Sequence, residues 1–86
     1  MNVRDAIRLA LSFKQEIPAR HREKFVRRAQ RCLRGEQFHM VRLSDHVFPD
    51  VADVAWDVIR YAARGDEEMV RSTAEHLPTR EQSPTG

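Results

Sequence analysis

The chain has 86 residues, 41% of them hydrophobic and 33% charged, with a formal net charge of +2. That length holds one small domain with a core just large enough to fold alone, and the composition excludes both the disordered and the membrane class. The net charge hides an asymmetry: residues 1 to 42 carry eleven Lys/Arg and four Asp/Glu, a balance of +7, whereas residues 43 to 86 carry four and nine, a balance of −5. A chain polarised in this way can offer its basic half to a polyanion, or it can satisfy itself within the fold or between two copies. The apolar stretches near the N-terminus are broken by Arg4, Asp5 and Arg8, so neither a signal-peptide core nor a membrane span is expected. Cys32 is the single cysteine; an intramolecular disulfide is impossible and a cytoplasmic setting is expected.

In chain order, Asn2 caps a first helix, Asp5 favours its positive end, and the helical pattern runs to about Ile17 before Pro18. Ala6, Leu9, Ala10, Phe13 and Ile17 make its main apolar stripe. Val3, Ile7 and Leu11 widen that stripe to about half the circumference, more than one packing contact requires. That surplus face suits a homodimer or docking on a larger protein, unless the segment containing Phe38, Met40, Val41, Val47 and Phe48 folds over it. Pro18 fits the first position of a second helix, which reaches Arg34 and stops at Gly35. Residues 36 to 49 show no clear period: Gln37 to Leu43 (QFHMVRL) has the make-up of a short strand, but Ser44, Asp45 and Pro49 punctuate the residues after it, and the stretch is read as irregular. Asp50, with Asp53 at the box-like position, caps a third helix ending at Arg64 before Gly65. Only Asp53, Asp57, Arg60 and Arg64 are polar around it, in one narrow stripe, so this helix is expected at the centre of the domain with Trp56 as its largest core residue. Asp66 caps a last helix with Glu67 and Glu68 in its first turn and Met69, Val70, Thr73 and Leu77 inward, stopped by Pro78. The expected fold is all-α, a compact four-helix domain over residues 1–78 with an irregular segment between helices two and three and a disordered tail over 79–86.

The second helix carries the most informative pattern. Arg20, Lys24, Arg27, Arg31 and Arg34 recur in steps of four, three, four and three, with Arg28 beside them, while Phe25, Val26, Ala29 and Leu33 fall on the opposite side. One face packs and the other faces something negative. From Arg20 to Arg34 the row reaches about 21 Å at 1.5 Å per residue, enough to meet several phosphates. Thirteen Arg against two Lys fits phosphate recognition, because the guanidinium fork binds phosphate bidentately and stays charged. Five or six phosphate contacts predict a log affinity falling with log salt at a slope of about −5 on duplex DNA. The same row would dock equally on an acidic protein surface, which makes a protein-binding modulator or adaptor, of the kind phages and mobile elements carry, the second reading. A self-associating unit whose basic and acidic halves meet across an interface is the third.

The order of elements from Gln37 to Leu77, a strand followed by two helices, resembles a ribbon-helix-helix module. Pro49 stands where that family's first helix should be running, and Val41 and Leu43 occupy strand positions that should be polar, so membership is not assigned. A helix-turn-helix built from helices two and three would need a short turn in place of fourteen residues. Cys32, His39 and His46 lie seven apart, unlike the paired spacing of zinc sites, and no metal is expected. Gly35, Gly65 and Gly86 form no phosphate loop, and no nucleophile turn exists. Asp53 and Asp57 could pair as acid and base, but Arg60 and Arg64 explain them as intrahelical ion pairs. The expectation is a non-enzymatic protein with no cofactor and no small-molecule substrate.

Overall fold

In the computed structural model, which describes residues 1–45, 47 and 50–78, four helices follow one another as α1 (Val3–Leu11), α2 (Ala19–Leu33), α3 (Val51–Arg64) and α4 (Glu67–Ala74). No strand occurs among the described residues, so the ribbon-helix-helix likeness lacks its first element. The disordered tail expected over 79–86 lies outside the described residues.

Each helix starts where a short polar side chain can satisfy a free backbone N–H, α2 excepted. Asn2 accepts from the Asp5 amide, Asp66 accepts from the Met69 amide, and Asp50 and Asp53 form a reciprocal capping box at the head of α3. The helix ends are equally explicit. Gly35 and Gly65 adopt φ of +84° and +78°. In each case the amide after the glycine reaches back to the carbonyl five residues earlier, Glu36 to Arg31 and Asp66 to Tyr61, both at 3.1 Å.

Three boundaries differ from the sequence expectation, one of them the end of α4, which stops at Ala74 and leaves Leu77 in the turn that follows. The first helix stops at Leu11 rather than Ile17: the Phe13 amide bonds Ala10 at 3.0 Å, and the chain tightens into a 3-10 turn over Lys14–Glu16. Ile17 is then extended (ψ 133°), as steric conflict with the Pro18 ring requires. Ile17 is nonetheless fully buried, so the apolar spacing continued although the α-helix did not. Pro18 itself is the cap of α2, with ψ of 140°, and not its first helical residue.

The buried residues form one cluster drawn from all four helices. Helix α3 touches each of the other three and contributes Ala52, Ala55, Trp56, Val58, Ile59 and Ala63 to the core. Its polar stripe is not uniformly exposed: Asp53 is only 7% exposed, accepting from the Ser44 hydroxyl as well as serving in the capping box. Helix α1 also packs on α2, α3 and α4. Its broad apolar face is therefore used inside the molecule. Ile7 is 1% exposed, Val3 and Leu11 pack against the core, and the surface anticipated for a second copy at Val3, Ile7 and Leu11 does not exist as an open patch.

The segment after Gly35 is irregular, as expected, but its path is well defined. The Phe38 amide donates to the Ala63 carbonyl at 3.0 Å, the Trp56 indole N–H donates to the Val41 carbonyl at 2.7 Å, and Ser44 meets Asp53. The segment thus runs antiparallel to α3, from its C-terminal end toward its N-terminal end, with Met40 buried beneath it.

Candidate nucleic-acid interface

Helix α2 is held by one apolar side and leaves the basic side in solvent. Phe25 and Ala29 are fully buried, and Val26, Cys32 and Leu33 pack partly against the core. Arg20, Lys24, Arg27 and Arg34 are exposed; Arg28 and Arg31 are half-buried. The six predicted residues therefore share a face, but their electrostatic states differ along it.

At the C-terminal end the row is occupied. The turn at Gly35 brings Glu36 back against its own helix, where the Arg31 Nε donates to Oε1 at 2.8 Å and the Arg34 Nε to Oε2 at 3.2 Å. Hydrogen bonds from Arg31 first and Arg34 second hold the Glu36 carboxyl below its ordinary range. The Arg31 guanidinium also lies 4.0 Å from the centre of the Phe38 ring. Toward the N-terminus the situation reverses. Among the described residues no carboxylate is within ion-pair distance of Arg20, Lys24, Arg27 or Arg28; Arg20 bonds only the His21 ring, at 3.2 Å.

The same set of ion pairs answers how the two oppositely charged halves of the chain are reconciled. Arg8 with Asp5 and the two pairs of Glu36 lie within the basic half; Arg60 with Asp57 and Arg71 with Glu67 lie within the acidic half. Among the described residues no ion pair crosses from one half to the other. Two basic residues outside the row are taken up by helix ends instead. Arg22 donates to the carbonyls of Lys14, Gln15 and Ile17 at 3.0 to 3.2 Å, closing the 3-10 turn, and Arg4 donates to the Leu33 carbonyl at 2.8 Å at the foot of α2.

A cleft of about 220 Å³ opens beside the unpaired part of the row. His21, Lys24 and Arg28 form its α2 wall, His39, Val41, Arg42 and Leu43 form the wall opposite, and Trp56 closes the base. Trp56 is fixed from three directions: stacked on Phe25 with ring centres 6.0 Å apart, edge-on to His21 at 6.2 Å, and hydrogen-bonded to Val41. Among the described residues no carboxylate lines this cleft, whereas the neighbouring cleft of about 280 Å³ includes Glu16, Asp50 and Asp53. Periodicity could not reveal His39 and Arg42 as companions of the row, because their position depends on the path of an irregular segment. The cluster of a histidine, an arginine and apolar residues in QFHMVRL was the only trace of it in the sequence.

The other chemistry-bearing residues are placed apart. Asp53 is engaged by Ser44 and the helix cap, and Asp57 by Arg60 at 3.0 Å, so the two carboxylates have separate partners. Arg64 lies over the Tyr61 ring. Cys32 packs against the core with its sulfur 3.7 Å from the Ile59 carbonyl, and burial pushes its thiol up to about 11. His46, the third member of the seven-residue spacing, lies outside the described residues. No described helix is long and apolar enough to cross a membrane. No protein family, curated protein or solved structure matches the chain.

Proposed function

We propose that this is a small, non-enzymatic regulatory protein of the cytoplasm that binds nucleic acid through the N-terminal two-thirds of the α2 basic face. The observation that supports the reading is the unpaired state of Arg20, Lys24, Arg27 and Arg28 beside a carboxylate-free cleft, in a molecule whose acidic half forms no ion pair with its basic half among the described residues. Guanidinium and ammonium groups that have no carboxylate partner can neutralise phosphates without first breaking an ion pair, and the cations released from the nucleic acid drive association.

Four such groups predict a slope of log affinity against log salt of about −4 on duplex DNA and about −3 on single strands. Fluorescence anisotropy of labelled random duplex and single-stranded oligonucleotides between 50 and 300 mM salt measures it. The variant Lys24→Glu/Arg27→Glu, with both side chains exposed, should lose binding while keeping its helical circular dichroism. Absence of binding to every strand at 50 mM salt would refute the reading. A stoichiometric acidic protein that co-purifies after nuclease treatment would favour docking of the same face on a protein.

A further inference from the structure

We propose that the cleft between α2 and the segment 39–43 seats one unpaired base of a single-stranded nucleic acid, with the adjoining phosphates on Lys24, Arg28 and Arg42. This inference rests on the nucleic-acid reading above and assigns the kind of strand it concerns.

The first argument is the composition of the walls. Val41, Leu43 and the edge of Trp56 give the cleft an apolar interior, and cationic side chains rise on both sides of it, Lys24 and Arg28 from the helix and Arg42 from the segment. A ligand that matches is apolar and flat in the middle and anionic at its ends, which describes a base carried between two phosphates.

The second argument is size. An apolar cavity of about 150 Å³ accepts a benzene ring; this cleft, at about 220 Å³, has room for a heterocyclic base but not for a base pair with its backbones. A base inside a duplex would first have to be unpaired and unstacked at a cost of a few kcal/mol, which a single strand avoids. The third argument is rigidity. Val41 is 64% exposed, an unusual state for an apolar residue, yet its backbone is held by the indole N–H of a buried tryptophan. The wall is therefore built before the ligand arrives, and little ordering entropy opposes binding.

Phe25 and His21 already pack on the indole ring. The base therefore meets the edge of Trp56 and the aliphatic wall rather than stacking on an open aromatic face, and the preference should fall at the low end of the range for base contacts, about 5- to 10-fold.

The test compares three labelled ligands of equal length at 50 mM salt with the full chain: an eight-nucleotide thymidine strand, the same backbone with every base replaced by an abasic unit, and the corresponding duplex. The thymidine strand should bind about 5- to 10-fold tighter than the abasic strand and should alone change the emission of Trp56, the only tryptophan. Val41→Ser, a change in an exposed side chain, should erase the preference while leaving abasic affinity and the thermal melt as they were. Equal binding of thymidine and abasic strands, a preference untouched by Val41→Ser, or a duplex that changes the Trp56 emission as the thymidine strand does would each overturn the assignment while leaving the basic face as a polyanion site. Failure of all three ligands to bind would remove the basic-face reading and this one together.

Discussion

Glu36→Gln should strengthen nucleic-acid binding, although it alters a residue outside the row. In the structure one carboxylate takes up two guanidinium groups, Arg31 at 2.8 Å and Arg34 at 3.2 Å, and leaves four cations of the face without a partner carboxylate. An amide of the same shape cannot hold them as a counterion. Six available cations in place of four raise the number of phosphates that can be met from four to six, so the salt slope on a single strand should steepen from about −3 to about −4. At 0.1 M salt each added contact is a factor of about 5, so the upper bound on the gain is about 25-fold. The Phe38 ring still holds part of Arg31, which places the expected gain nearer 5- to 10-fold. Anisotropy titrations of both proteins across 50 to 300 mM salt read the slope and the affinity together. An unchanged slope would show that Arg31 and Arg34 do not reach phosphate even when released, and that the division of the row by Glu36 has no bearing on binding.

Cys32 in the folded protein should react with iodoacetamide at pH 7.5 about 100-fold more slowly than in urea, because its thiol is raised from 9.0 to about 11 by burial. Burial favours the neutral thiol, so its stabilising contribution is complete below pH 9 and is lost as pH rises toward 11; a melt at pH 7 that is no higher than one at pH 10.5 would contradict this. Trp56→Phe removes the donor to the Val41 carbonyl and should cost about 1 to 3 kcal/mol in urea unfolding, with faster amide exchange in residues 38–44. Gly35→Ala meets open space but must hold φ near +84°, so about 1 kcal/mol is expected; Gly65→Ala must hold φ near +78° and displaces only the movable end of the exposed Gln37 side chain, so a similar cost of about 1 kcal/mol is expected, as comparative denaturation will show.

How much the sequence discloses depends on whether the causes are local. Caps at Asn2, Asp50 and Asp66, and stops at Gly35 and Gly65, are decided within four or five residues of backbone, and all five are found where the residue types place them. Trp56 as a core residue follows from the apolar circumference of α3. The end of α1 was obscured because Phe13 and Ile17 keep the apolar spacing through a 3-10 turn, which buries Ile17 as an α-helix would. The path of residues 36–45 was illegible for a different reason: it is set by bonds to Ala63, Trp56 and Asp53, partners 9 to 25 residues away. The candidate site divides the same way. The α2 face could be read from its period, whereas the opposite wall with His39 and Arg42, and the return of Glu36 onto the row, depend on turns and long-range contacts that no period encodes.

Trp56 belongs to two structures at once. Its ring fills space among the deepest apolar side chains, while its single polar atom anchors the strip of backbone that forms the outer wall of the cleft. The groove beside α2 therefore takes the middle support of that side, between the bonds of Phe38 to Ala63 and of Ser44 to Asp53, from the interior. Sequence drift that resettles Phe25 or the indole would tilt the wall as well, so this protein cannot adjust how it is packed without also adjusting what it can hold.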